Sequence, residues 1–108
     1  MDFFVPMADE ATLKRERQKA RELRKSDWWT NQVGRGFCYY CEAAVAPSEL
    51  TMDHKTPVIR GGRSTKNNLV PACKPCNNEK KHMVLGEWIR LREEEGRPLA
   101  CAKNDLYY

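Results

Sequence analysis

The sequence predicts a small α+β domain organised around an internal cross-link, and three observations predict it. Two Cys-x-x-Cys pairs, Cys38/Cys41 and Cys73/Cys76, stand 31 residues apart. Between them lie two short runs of strand character split by a Gly61-Gly62 loop. Helical patterns flank this middle region on both sides. With 108 residues, 41% of them hydrophobic and 31% charged, the chain is one domain with a small core. Domains that bury so little apolar surface usually need a staple.

The elements follow in order. Residues 1–8 read as a loose leader. Asp9 can cap a helix from about Glu10 to Lys25, in which Leu13, Ala20 and Leu23 form a thin apolar stripe. That stripe is too narrow to bury the helix deeply, so the helix is expected on the surface with its basic side outward. Ser26-Asp27 ends it and Trp28-Trp29 follows; such a pair more often pins a helix to a core than stacks on bases. Gly34 and Gly36 give tight backbone before the first cysteine pair. Leu50 to Lys55 reads as a strand stopped by Pro57, and Asn68 to Ala72 as its partner. A helix should start near Cys76-Asn77 and run through Val84, Leu85, Trp88 and Ile89, with a bend near Gly86, until Gly96 and Pro98 stop it. The expected division is a leader and basic helix over 1–25, a central domain over 26–96 and a tail over 97–108.

Paired Cys-x-x-Cys turns present two sulfurs each to one ion, and four thiolates are the commonest structural shell of zinc. Cys38, Cys41, Cys73 and Cys76 are therefore the expected Zn²⁺ ligands, with Cys101 left over as a free thiol. Disulfides fit less well, because five cysteines are an odd number and no secretory segment is visible. Phe3-Phe4-Val5 is too short for such a segment and is broken by Pro6. No run approaches the roughly 18 apolar residues of a membrane span. These features point to a cytoplasmic protein with reduced thiols and no membrane contact.

Asp53, His54 and Asn77 stand in fixed relation to the knuckles and suggest a second site. Magnesium-like ions take few protein oxygens and keep open positions for phosphate. Asp53 supplies a carboxylate and Asn77 an amide oxygen. His54 stays off the ion and accepts a proton from water. Neighbours in a regular strand point to opposite faces, so Asp53 and His54 can share a site only at a strand end. Asn77, read as the start of a helix, adds free N–H groups that favour an anion.

Read in order, Cys38-x-x-Cys41, Met52-Asp53-His54, Pro57, Gly61-Gly62, Asn68-Leu69-Val70, Cys73-x-x-Cys76-Asn77 and Lys80 resemble the HNH endonuclease family over about residues 26–90. The resemblance implies a ββα-metal, or treble clef, core that hydrolyses DNA with one divalent ion, Mg²⁺, Mn²⁺ or another, and leaves 5′-phosphate and 3′-hydroxyl ends. It makes His54 the general base and Asn68 the asparagine that braces the loop between the strands. The third signature position holds Asn77 in place of histidine, which bears on metal preference more than on activity. His82 is left outside the catalytic set, since helix spacing from Asn77 does not settle its position.

Charge fits a polyanionic partner. Lys14 to Lys25 holds seven basic and two acidic residues, and Arg60 to Lys81 holds six basic residues and one acid, within a net charge of +4. Arg60, Arg63, Lys66, Lys80 and Lys81 are the expected phosphate contacts. The rival reading is a non-catalytic zinc module that binds nucleic acid, which would have no need of Asp53, His54 and Asn77 together. A zinc adaptor for a protein partner would need an exposed apolar patch. One such site cuts one strand, so the chain would nick as a monomer or break duplexes as a homodimer, in a bacterial or phage-like setting.

Overall fold

The structure, a computed structural model, describes residues 8–103. Most of the expected leader, and residues 104–108 of the tail, lie outside the described residues. The described residues form four α-helices and a two-stranded antiparallel sheet: α1 (Glu10–Arg24), α2 (Asp27–Gly34), β1 (Thr51–His54), β2 (Leu69–Ala72), α3 (Lys74–Lys80) and α4 (Leu85–Glu94). The class is α+β, as the alternation of knuckles, short strands and helices implies. Among the described residues, no helix is long and apolar enough to cross a membrane.

Local chemistry explains the boundaries. Asp9 caps α1 by accepting from the Thr12 N–H at 2.8 Å, and Arg21 and Arg24 complement the dipole in its last turn. No helix was expected over Asp27–Gly34, yet Ser26 caps one by accepting from the Trp29 N–H at 3.3 Å. Trp29 is buried there while Trp28 is only half-buried. In the sheet, Thr51 pairs with Ala72, Met52 with Pro71, Asp53 with Val70 and His54 with Leu69. Asn68 braces the intervening loop: its amide oxygen accepts from the Thr56 N–H, and its nitrogen donates to the Thr56 and Arg63 carbonyls. Gly62 presses against the same turn so closely that a Cβ would lie 1.8 Å from the Thr56 carbonyl oxygen.

Two expectations about the last helices need correction. Helix α3 starts at Lys74, with Pro75 in its first turn, a place that tolerates a missing N–H. Asn77 is therefore its fourth residue, and its N–H is already bonded to the Cys73 carbonyl at 3.0 Å. It offers no free helix N–H to an anion. The chain also breaks earlier than Gly86. Lys81 takes φ 52° and ψ −124°, and α4 begins afresh at Leu85. Glu87 supports that start by accepting from the Val84 N–H at 3.0 Å, the half of a capping box that valine permits.

The core gathers Tyr40, Leu50, Val70, Ala72, Leu85, Trp88, Ile89 and Leu99 around the cysteines. Trp88 meets Tyr40 edge to face at 5.0 Å, and its indole N–H donates to Glu79 at 2.7 Å. Helix α1 is attached more firmly than its thin stripe implied. Besides Ala20 it buries Glu16 completely. One Glu16 oxygen accepts from the Ser64 N–H at 2.6 Å, and the other lies 3.4 Å from Lys19 and 3.6 Å from Arg63. The helix thus docks through a buried carboxylate, which an apolar periodicity does not register.

The Ser64 N–H, followed by Lys19 and Arg63, holds the Glu16 carboxyl below its ordinary value of 4.5. A depressed acid stabilises the fold above its unfolded pKa and loses that contribution as pH falls through the folded one. Glu16→Ala should cost about 1–3 kcal/mol at neutral pH by orphaning the Ser64 N–H. The gap from the wild type should narrow below pH 4.5. Denaturant melts of both proteins across that range would check it, and a gap independent of pH would refute the assignment.

Candidate active site

The two knuckles meet. Cys38, Cys41, Cys73 and Cys76 place their sulfurs within 4.8 Å of one another, and Cys41 and Cys73 are 3.9 Å apart. A tetrahedron with 2.3 Å arms has edges of about 3.8 Å, so the cluster fits a structural zinc ion. The Cys38 thiol is pulled down to about 4, chiefly by a hydrogen bond from Cys76. Cys101 lies buried nearby, and burial pushes its thiol up to about 11, which leaves it a poor nucleophile.

Beside the cluster, Asp53, His54 and Asn77 line one cavity of about 310 Å³, together with Leu13, Arg17, Lys81 and His82. His54 is the last residue of β1, so the departing chain allows two consecutive side chains to face one space. Asp53 is held at one oxygen. The Tyr40 hydroxyl donates to its Oδ2, and the Lys80 ammonium pairs with the same atom at 3.3 Å. Burial, followed by the Asp53 charge, pushes the Tyr40 hydroxyl far up, so it remains a donor. Neither of these two contacts uses the other carboxylate oxygen, which could hold a cation.

Asn77 is oriented by a similar argument. Thr51 has one hydroxyl proton and donates it to the Ala72 carbonyl at 3.0 Å. It can therefore only accept from the Asn77 amide nitrogen, 2.9 Å away. The amide oxygen is then free to ligate. One carboxylate and one amide oxygen make a sparse, hard donor set that suits a magnesium-like ion keeping most of its water. Burial lowers the His54 imidazole below its usual 6.5, so the ring is neutral at neutral pH. Its Nε2 lies 2.9 Å from the Ser64 hydroxyl.

The basic residues divide. Lys81 is exposed on the cavity rim, and Arg60, Arg63 and Lys66 are exposed on the loop. Arg60 already pairs with Glu87 at 3.1 Å and Arg63 with Glu16 at 3.6 Å. Lys80 is a correction. Its side chain is 0% exposed and donates to the His54 carbonyl at 3.0 Å, so it cannot reach a phosphate and instead holds the end of β1 and Asp53 in place. Arg17 joins the cavity from α1, and His82 reaches it because the chain turns at Lys81. The importance of Tyr40, Thr51 and Ser64 had no sequence signal, since each acts through a tertiary contact; Lys80 was singled out, but for a phosphate contact that its burial excludes. Arg17 was visible only as one charge in a basic run.

The HNH endonuclease family profile matches residues 38–91, half of the chain, from the first knuckle into α4. A stretch of 60 residues, 55% of this chain, is 33% identical to the CRISPR-associated endonuclease Cas9 of Corynebacterium diphtheriae. It spans only 6% of that relative's length. The zinc-type cysteine cluster, the ββα order and the match across the whole knuckle-to-helix span lead to one conclusion: the protein belongs to the HNH endonuclease family.

Proposed function

We propose that this protein hydrolyses DNA phosphodiester bonds, with His54 as general base and a divalent ion held by Asp53 and Asn77. The observation that carries the reading is the convergence of a neutral imidazole, a half-occupied carboxylate and an oriented amide oxygen on one cavity with basic residues at its rim. The name of the similar bacterial protein, an endonuclease, supports the same class of chemistry.

In this reading, Arg17 and Lys81 draw the phosphate into the cavity. His54 takes a proton from a water molecule, and the water oxygen attacks phosphorus. The bond to the 3′ oxygen breaks, that oxygen gains a proton from solvent, and a 5′-phosphate remains on the other side. When bound, the ion supplies electrostatic stabilisation of the charge that develops on the phosphate and the leaving oxygen. Lys80 and Tyr40 keep the Asp53 carboxylate from rotating, while Thr51 does the same for the Asn77 amide.

A plasmid-nicking assay tests the proposal. The wild-type protein should convert supercoiled DNA in Mg²⁺ or Mn²⁺. His54→Ala should stay folded, bind DNA and lose about 10²–10⁴-fold in rate. Unimpaired cleavage by that variant, in protein free of contaminating nuclease, would sink the assigned role.

The two metal sites differ in donor chemistry, thiolate against oxygen, so they should separate. Mild chelation should abolish cleavage while circular dichroism is retained, and Mg²⁺ or Mn²⁺ should restore activity. Unfolding in step with activity loss would contradict a separate catalytic ion.

Lys14, Arg15, Arg17, Arg21 and Lys25 are exposed along α1, and with Arg17 at the cavity they form a path for the DNA backbone. Each phosphate contact contributes about 0.9 to the slope of log affinity against log salt. Arg17→Gln should flatten that slope by about one contact's worth, and an unchanged slope would remove α1 from the interface.

A further inference from the structure

The proposed base makes one contact that restricts its chemistry. His54 Nε2 stands 2.9 Å from the Ser64 hydroxyl oxygen. That hydroxyl also lies 2.7 Å from the backbone carbonyl of Glu16, and a carbonyl oxygen can only accept. Serine has a single hydroxyl proton, so Ser64 spends it on Glu16 and presents only lone pairs to the imidazole. The ring must therefore donate from Nε2. A neutral imidazole carries one N–H, so Nδ1 is left as the lone-pair nitrogen.

Ser64 has little freedom to do otherwise. It is buried, and its own N–H donates to the Glu16 carboxylate at 2.6 Å. Two hydrogen bonds to one helical residue, through backbone carbonyl and side chain, fix the serine against α1. Glu16 lies outside the span matched to the family, residues 38–91, so this support is added by the preceding helix.

We propose that Ser64, locked by Glu16 of α1, is a positioning residue that holds His54 in its Nε2–H tautomer and leaves Nδ1 to take the proton from water. The inference rests on the reading of His54 as general base. It gives α1 a role in the chemistry that its basic surface does not express. Ser64 is buried, so its effect should fall on turnover and not on substrate binding.

Nitrogen-15 NMR of the zinc-loaded chain reads the tautomer directly. The chain has two histidines, and His82→Gln assigns the remaining signal to His54. At mildly alkaline pH the wild-type His54 should show a protonated Nε2 and an unprotonated Nδ1. The opposite tautomer in the wild type would overturn the proposal without any variant at Ser64. Ser64→Ala should keep the cooperative melt and the KM for plasmid DNA, give a mixed tautomer signal and lose at least about tenfold in kcat, part of the roughly 10²–10⁴-fold a general base contributes. Ser64→Thr retains the hydroxyl and should hold both the tautomer and the rate. An unchanged tautomer or an unchanged kcat in Ser64→Ala refutes the positioning role. His54→Ala separates this from the general-base reading: wild-type turnover there removes the base itself, whereas the tautomer measurement does not depend on catalysis.

Discussion

Four sulfurs drawn to one point organise both halves of this protein. The first knuckle carries Tyr40 between its cysteines, and the second knuckle begins α3, which carries Asn77 and Lys80. Closing the cluster brings Tyr40 and Lys80 to the same carboxylate oxygen of Asp53 from two sides. Structural zinc contributes on the order of 10–16 kcal/mol in peptide systems, against a total of about 5–15 kcal/mol for an ordinary domain. A zinc ion bound by this cluster would contribute a term comparable to the whole stability of a core of this size. The fold and the candidate active site therefore stand on one constraint, although the chemistry proposed for the site uses none of the four thiolates.

Polar groups inside the site are arranged by counting protons. Tyr40 and Lys80 bring donors to one oxygen of Asp53, and the proposed cation would take the second. Thr51 gives its proton to the Ala72 carbonyl and so can only receive the Asn77 amide nitrogen. The Thr51 hydroxyl, pinned by an acceptor-only carbonyl, thus dictates the orientation of the Asn77 amide. The Lys80–Asp53 pair follows the same economy. Burial pulls the Lys80 ammonium below its ordinary value while Asp53 raises it again, and the His54 carbonyl takes one of its protons. Removing one member of such a pair leaves a charge in the interior, which is costlier than never having built the pair.

The parts of this arrangement that could be read from the sequence are those governed by local rules. Cysteine spacing gave the cluster; strand runs around Gly61-Gly62 gave β1 and β2; Asp9 gave the start of α1. The misses share a different cause. Lys80 looks like a surface charge in a basic run, yet a tertiary ion pair makes it interior. Glu16 sits in a helix of charges and is completely buried, because Ser64 offers its N–H from 48 positions away. The break between α3 and α4 falls at Lys81, where a non-glycine residue adopts φ 52°; nothing in its side chain announces that. The helix was expected to start near Cys76-Asn77, but it starts at Lys74 with Pro75 in its first turn, so Asn77 is its fourth residue.

Helix α1 carries two kinds of charge with opposite physical consequences. Its exposed arginines and lysines face solvent, where their interactions are screened by salt and each contributes little to folding. Glu16 faces inward, where screening is weak and its carboxylate accepts from the Ser64 N–H and pairs with Lys19 and Arg63. Leu13, about one turn before Glu16, and Arg17, the residue after it, line the cavity. The face that would meet a phosphate and the face that locks Ser64 are therefore parts of the same rigid element. A helix held by a narrow apolar stripe alone would be free to shift relative to His54. Anchored through Glu16, it ties the proposed nucleic-acid surface to the proposed base at a fixed distance, and the thinness of its apolar stripe becomes understandable: docking is achieved by directed hydrogen bonds, which leaves the rest of the helix surface free to carry positive charge.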